Sequence, residues 1–311
     1  MRVFRGIPAR AGTPIALTIG NFDGVHPGHR AMIARLAEAA RSRGLPAAVM
    51  TFEPQPQEFF APDQAPARLT SLREKLELLA AQGVERVHVQ RFSGSFAALA
   101  PEVFVEQVLA KRLSARWLLI GEDFRFGAKR AGDLALLKKL GALHGYEVET
   151  MPTVVHAGSR VSSSAVRAAL AAGDLAAAEA LLARTYSISG RVIHGRKLGR
   201  ELGFATANVQ LKHNRPPLTG IYAVKVHGIG AAARPAVASL GVRPTVTASG
   251  RAVLEVHLFD FAGDLYDAHV RVEFLHKIRD EEKYPDIETL KTQIARDCEA
   301  AKSFLLDHRD A

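Results

Sequence analysis

Cysteine is almost missing from this sequence: Cys298 stands alone among 311 residues. A single thiol excludes an intrachain disulfide and any zinc cluster built on cysteines, and it fits a reducing, cytoplasmic setting. Long apolar runs are missing too. None approaches the ~18 residues needed to cross a bilayer, and the opening MRVFRGIPARAG has no apolar h-region, so neither a membrane span nor a signal peptide is expected. No block of five or more basic residues occurs, although Lys and Arg number 41 against 32 acids, a formal charge of +9. Such a surplus serves solubility or draws anionic partners, and its dispersal weakens a nucleic-acid reading. The two common glycine-rich phosphate signatures are absent as well: there is no G-x-x-x-x-G-K-[ST], and no G-x-G-x-x-G follows the first apolar run.

What is present falls into two rhythms, and at this length two domains are the expected organisation. Up to about residue 183, short apolar runs (Ile15–Ile19, 47–52, 86–92, 116–120 and 147–155) alternate with helical patterns near 28–43, 71–82, 101–112 and 133–144. Strand and helix in alternation predict a parallel sheet covered on both faces. Gly44 and Gly83 stand where left-handed helix ends belong, and Ser162 or Ser163 and Asp174 stand where caps belong. After Arg184 the helical period stops. Runs rich in β-branched and aromatic residues at 186–193, 204–209, 221–226, 235–240, 253–261 and 270–275 predict an antiparallel sheet or barrel, and a helix from about 287 to 306, capped by Asp286, closes the chain.

The stretch LTIGNFDGVHPGHRAMIARL runs from a strand into a helix. Pro27 suits a first helical turn, and Met32, Ile33, Leu36 and Ala40 form its buried stripe. His26 and His29 therefore lie at a helix start on the carboxyl edge of the sheet, where open α/β sheets bind ligands and free N–H groups attract anions. Two histidines three apart can both donate to phosphate oxygens. Two other readings stay open: a zinc pair, for which no third ligand is signalled nearby, and a capping histidine without any ligand. GEDFRFGAKRAGDLALL returns to the same sheet edge. Asp123 and Asp133 could hold magnesium or a ribose, Arg125, Lys129 and Arg130 could meet phosphates, and Phe124 and Phe126 could pack on a ring; the alternative is a basic loop over two core phenylalanines. VSSSAVRAAL places Ser162, Ser163, Ser164 and Arg167 at another helix start, where serine caps are ordinary.

In the second half Gly195, Gly199 and Gly203 are interleaved with Arg196, Lys197 and Arg200. Glycine N–H groups can cradle phosphate, and the oxygens of Thr206 and Asn208 suit magnesium; the alternative is a basic turn. VLEVHLFDF puts Leu254, Val256 and Leu258 on one face and Glu255, His257 and Phe259 on the other. On the inner face of a barrel Glu255 could take a proton from a substrate hydroxyl; on an outer face it would be solvated.

These motifs carry a family resemblance. HPGH resembles the HxGH motif of the nucleotidyltransferase superfamily, and the longer GNFDGVHPGH looks like the signature of the FMN adenylyltransferase module of bacterial bifunctional riboflavin kinase/FAD synthetases. DFRFG and the serine run before Arg167 match further segments of that module. GRELGFATAN, GVRPTV and LEVHLFDFAGDLYDAHVRVEFLHKIRDEEKY resemble the riboflavin kinase module, and the match covers nearly the whole chain in the family's order. The resemblance implies a Rossmann-like nucleotidyltransferase domain over 1–184 and a six-stranded antiparallel barrel with a C-terminal helix over 185–311. It implies ATP contacts at Asn21, Phe22, Asp23, Gly24, Gly28, Asp123, Ser162, Ser163, Ser164 and Arg167, and at Gly195, Gly199 and Gly203. It implies flavin contacts at Phe59, Phe124, Arg125, Phe126 and Arg279, magnesium on Thr206 and Asn208, and catalytic roles for His26, His29 and Glu255. Two departures stand out: Gln55 replaces the histidine of TFEPHP, and Ala205 replaces a proline, with loss of a fixed φ.

The implied activity is phosphorylation of riboflavin by ATP to FMN, then adenylylation of FMN by a second ATP to FAD with release of pyrophosphate. The expected partners are riboflavin, FMN, FAD and ATP, with no nucleic acid and no membrane; a homo-oligomer is left open. From the residues alone the reading stops at two nucleotide-phosphate sites on two folds. Its rivals are a nucleotidyltransferase for another acceptor, with the barrel a binding module, and a basic barrel that binds RNA.

Overall fold

A computed structural model describes residues 1–10, 12–152, 155–156, 159–195, 203–211, 215–243 and 251–308. The chain divides into two compact units, one of Met1–Pro66 with Leu72–Val161 and one of Ala67–Ser71 with Ser162–Ala311.

The first unit runs β1 (Arg2–Arg5), β2 (Ile15–Ile19), α1 (Pro27–Ser42), β3 (Ala47–Glu53), α2 (Pro56–Phe60), α3 (Leu72–Ala81), β4 (Arg86–Arg91), α4 (Gly94–Ala97), α5 (Pro101–Val103) leading into a π-helical stretch (Phe104–Arg112), β5 (Ala115–Gly121), a 3₁₀ turn (Ala128–Arg130), α6 (Leu134–His144), β6 (Glu147–Met151), and the two-residue strands β7 (Val155–His156) and β8 (Ser159–Arg160). Its six-stranded sheet has the order β1-β4-β3-β2-β5-β6, and every pairing is parallel. The five expected strands are there. β1 was not expected, because its four residues are all exposed and present no apolar run.

Alternation along β2 explains the two layers. Ile15, Leu17 and Ile19 pack with Phe104, Leu109 and Leu137 on one face, while Ala16 packs with Ile33, Leu36 and Leu79 on the other. Both faces are dry, so the strand reads as continuous apolar sequence. Helix α1 starts at Pro27 and buries Ile33, Leu36, Ala39 and Ala40. Gly44 and Gly83 take the left-handed conformations expected of them, with φ of 63° and 80°.

The second unit begins with α7 (Ser163–Ala171) and α8 (Leu175–Leu182), followed by β9 (Ser187–Ile193), β10 (Ala207–Val209), β11 (Gly220–His227), β12 (Arg234–Arg243), β13 (Arg251–Leu258), β14 (His269–Arg279) and α9 (Ile287–Asp307). Ser162 and Asp174 cap α7 and α8 by accepting from the N–H groups of Ala165 and Ala177. The strands close into a barrel, β10-β13-β12-β11-β14-β9, antiparallel throughout. Its interior holds Val192, Tyr222, Val224, Ala238, Leu254, Val256, Val272 and Phe274. The outer face near Ile221, Ala223, Val237 and Phe259 is covered by Cys298, Ala301 and Leu305 of α9.

One polar contact ties α9 to the end of β14. Arg279 reaches Asp297 in a two-point ion pair, Nε–Oδ1 2.8 Å and Nη2–Oδ2 2.6 Å, and Asp297 is only 4% exposed. Asp297 is buried, whereas Arg279 is only partly so and also donates to the Asp280 carbonyl, so loss of the carboxylate costs the charge-assisted hydrogen bonds, about 1.5–3 kcal/mol. Asp297→Ala should therefore destabilise the barrel unit by about that amount in denaturant unfolding followed by circular dichroism; an unchanged midpoint would show that the pair contributes nothing net.

Candidate functional site

β2 ends at Ile19, and the chain turns through residues 20–26 before α1. The turn is tight: Phe22, Gly24 and Val25 have φ of 47°, 80° and 39°. Left-handed conformations at phenylalanine and valine cost about 1–3 kcal/mol each and persist only where packing over-determines them. Here Phe22 and Val25 are buried in the core cluster of α1 and α3, and Thr51 Oγ1 donates to the Asn21 carbonyl at 3.3 Å. Asp23 is buried in the same turn.

His26 caps α1, its Nδ1 accepting from the His29 N–H at 3.4 Å. Acceptance at Nδ1 leaves the proton of a neutral His26 on Nε2. The His29 ring stacks on His26, centroids 3.7 Å and planes 18° apart, with the Phe22 ring 5.1 Å away. Its Nδ1 is buried and has no hydrogen-bond partner among the described residues. Burial first, then the nearby His26 and Lys75, hold His29 well below the ordinary histidine range. Lys75 is itself fully buried on α3. Capping therefore accounts for His26 but leaves a ring nitrogen of His29 unexplained. An arriving anion would reverse the electrostatics, since it favours protonation where burial and like charge oppose it.

Ile19 also lines a cavity of about 650 Å³ whose wall includes Phe52, Phe60, Phe92, Phe96, Phe124 and Phe126. That volume lies within the usual range of small-molecule pockets. Phe124 and Phe126 stack at 5.8 Å, and Arg125, Lys129 and Arg130 add positive charge to the same wall. Phe59 packs on Phe60 and Phe92 at 5.3 and 5.6 Å, whereas Phe60 forms the wall. Asp133 is engaged as the cap of α6 and pairs with Arg125 at 3.6 Å. Asp123 lies over Gly121 at the end of β5. Gln55, 7% exposed, starts α2 beside the cavity residues Pro56 and Gln57. Its N–H donates to Glu58 Oε2 at 2.8 Å, and its side-chain Nε2 has no partner among the described residues.

Ser162, Ser163, Ser164 and Arg167 belong to the second unit. Besides the Ser162 cap, Arg167 Nε donates to the Ala67 carbonyl at 2.5 Å.

On the barrel, Arg196, Lys197, Gly199 and Arg200 lie outside the described residues, as does the second half of GVRPTV, 244–246. Gly195 and Gly203 are described, the latter with φ of 90°. A β-carbon at Gly195 would overlap the Asn208 side chain, so this glycine seats Asn208. Asn208 pairs in register with Glu255, and Glu255 pairs on its other side with Ser239 of β12. Because Leu254 and Val256 fill the interior, Glu255 lies on the outer face, where it is partly buried rather than solvated. Of the two faces that the sequence leaves open, Glu255 therefore takes the outer one. Thr206 immediately precedes β10, two residues before Asn208. Where the family has proline, the Ala205 carbonyl meets His257 Nδ1 at 2.9 Å, and Phe204 packs against the α9 cluster. Arg279 is held by Asp297. Among the described residues no group of three or more His, Cys, Asp or Glu is arranged to hold a metal, and no helix is long and apolar enough to cross a membrane.

Several residues of these sites carried no sequence signal. Phe52, Phe92 and Phe96 read as ordinary strand and loop residues. Ser239 and Glu281, joined at 3.3 Å beside Glu255, come together only through strand register and the turn after β14.

Comparison with known proteins finds two family models in succession along the chain. A family model described as FAD synthetase matches residues 9–165, and one described as riboflavin kinase matches 182–305. A bifunctional riboflavin kinase/FMN adenylyltransferase of Escherichia coli strain K12 is 50% identical over 98% of this chain and 98% of its own. The protein of that description from Haemophilus influenzae is 45% identical, covering 98% and 99%. Among solved structures, one from Streptococcus pneumoniae described as a macrolide-efflux protein superposes with a TM-score of 0.77 at 30% identity, covering 95% of this chain and 97% of that one.

The lowered His29 has a measurable consequence. An unfolded histidine takes up a proton near 6.5, and the folded ring does so only at lower pH. Native stability is therefore lost as pH falls through 6.5 and below, where the unfolded chain binds the extra proton. In NMR titration of the ligand-free protein the His29 ring should have its midpoint below 6.5, and Lys75→Met should move it upward. A midpoint at or above 6.5 would contradict the geometry.

Proposed function

The chain belongs to the family of bifunctional riboflavin kinase/FMN adenylyltransferases, and from that premise we propose how its residues divide the work. The enzyme phosphorylates riboflavin to FMN and adenylylates FMN to FAD, with ATP as substrate of both steps. We assign adenylyl transfer to residues 1–184 and the kinase to 185–311.

In the kinase reaction Glu255 accepts the proton of a ribityl hydroxyl as that oxygen attacks the γ-phosphorus of ATP. Gly195 and Gly203 offer bare N–H groups to the phosphates, and Gly199, outside the described residues, keeps the ATP role that the resemblance implies. Thr206 and Asn208 would hold Mg²⁺. The fit is chemical: both offer hard oxygens, Asn208 is seated on Gly195, and magnesium characteristically takes one or two protein oxygens together with phosphate oxygens. When bound, the ion offsets phosphate charge. The His257 contact to Ala205 steadies the strand that presents these ligands.

In the adenylyl transfer an FMN phosphate oxygen attacks the α-phosphorus of ATP and pyrophosphate leaves, with no covalent enzyme intermediate. His26 donates through Nε2, His29 becomes charged against the phosphates, and the N–H groups at the start of α1 add to them. Asn21, Phe22, Asp23, Gly24, Gly28 and Asp123 border the ATP. Ser162, Ser163, Ser164 and Arg167 keep the nucleotide role that the resemblance implies. Phe124 and Phe126 pack on the flavin ring with Arg125 beside them, while Phe59 and Arg279 act indirectly, through Phe60 and through Asp297. The Gln55 amide stands in for the family's histidine as a neutral donor.

The observation that supports this reading best is the buried ring nitrogen of His29, without a hydrogen-bond partner among the described residues, at the start of the helix that follows a strand whose last residue also lines an aromatic cavity. We place the enzyme in the cytoplasm. Its basic surplus serves nucleotide anions rather than nucleic acid or membrane, and Cys298 is an inert core thiol pushed up to about 11 by burial.

Two variants test the division. Glu255→Gln should reduce FMN formation by about 100-fold or more and leave conversion of supplied FMN to FAD intact. His29→Ala should do the reverse. Equal loss of both activities in either variant would contradict separate sites.

A further inference from the structure

The base assigned to the kinase has a hydroxyl directly across from it. Ser239 of β12 is the register partner of Glu255 on β13, which sets their β-carbons about 4.5–5.5 Å apart. Both stand on the outer face, since Ala238, Leu240, Leu254 and Val256 point into the barrel. Serine has one proton to donate. Given to Glu255, it would stabilise the carboxylate and weaken it as a base.

That proton is committed elsewhere. Ser239 Oγ donates to Glu281 Oε1 at 3.3 Å. The Glu281 carboxylate lies against the backbone of Gly241, two residues further along the same face of β12, and any β-carbon at 241 would overlap both carboxylate oxygens. Glu281 also follows closely on Arg279, whose grip on buried Asp297 anchors the chain as it leaves β14. An exposed glutamate is thus seated by a glycine and aimed by an ion pair at the serine facing the base.

We propose that Glu281 is a positioning residue of the kinase site: by taking the Ser239 proton it keeps that hydroxyl from donating to Glu255. The inference rests on Glu255 being the base. It concerns only phosphoryl transfer to riboflavin.

The test is steady-state FMN formation by the full-length enzyme, with kcat and KM for Mg-ATP read separately. Glu281→Ala should lower kcat about tenfold, the loss of one hydrogen bond's worth of control, with KM for Mg-ATP unchanged. Glu281→Gln, which keeps an acceptor oxygen, should retain most of kcat. The decisive arm is suppression: in a Ser239→Ala background Glu281→Ala should cost nothing further. Gly241→Ala, which displaces the carboxylate without deleting it, should match Glu281→Ala and serves if that variant does not fold. An unchanged kcat in Glu281→Ala, or the same loss with and without Ser239, would overturn the proposal. If instead Glu255→Gln itself leaves FMN formation intact, the assignment of the base has failed, and with it the ground for this inference.

Discussion

A pleated strand sends neighbouring side chains to opposite faces, and both chemistries of this chain depend on that constraint. In the first unit β2 is buried on both faces, all five of its residues being enclosed. Within it the one polar side chain, Thr18, donates to Met32 Sδ, and asparagine, aspartate and two histidines follow where the strand has stopped, between Asn21 and the start of α1. In the second unit the barrel closes and fills its interior with apolar side chains. Apart from tyrosines such as Tyr222, its polar side chains lie on the outer face, and Asn208, Glu255 and Ser239 meet there as neighbours on three adjacent strands.

The two sites solve different electrostatic problems. Around His29, burial and like charge disfavour protonation of the ring, which spares the fold an uncompensated buried charge. On the barrel the groups are partly exposed oxygens, and their arrangement depends on where each hydroxyl proton goes. A strained turn serves the first site, with Phe22 and Val25 in left-handed conformations held by core packing. A close glycine contact serves the second twice, at Gly195 for Asn208 and at Gly241 for Glu281.

What could be read in the sequence was what is local. Pro27 and the stripe Ile33, Leu36, Ala40 located α1, and the histidines at its start followed from helix capping and sheet topology. Five strands of the parallel sheet and six of the barrel showed in apolar runs. β1 did not, since an exposed edge strand of RVFR has no apolar period. Alternation grouped Glu255 with His257 and Phe259 but could not tell which face was the barrel interior, because apolar residues occur on both: Leu254 and Val256 inside, Phe259 under α9. Phe59 and Phe60 are adjacent on one short helix, and only the fold decides that Phe60 forms the cavity wall. Ser239 and Glu281 lie 42 residues apart, and nothing short of the register brings them to Glu255.

The central claim is that one chain carries two reactions in series, each on its own fold. The most direct measurement is a time course of the purified protein with riboflavin and Mg-ATP, with flavins separated at each point. The account predicts that FMN rises first and FAD follows after a lag, with pyrophosphate appearing in step with FAD. FAD without prior FMN, or FMN that accumulates and is never converted, would contradict it.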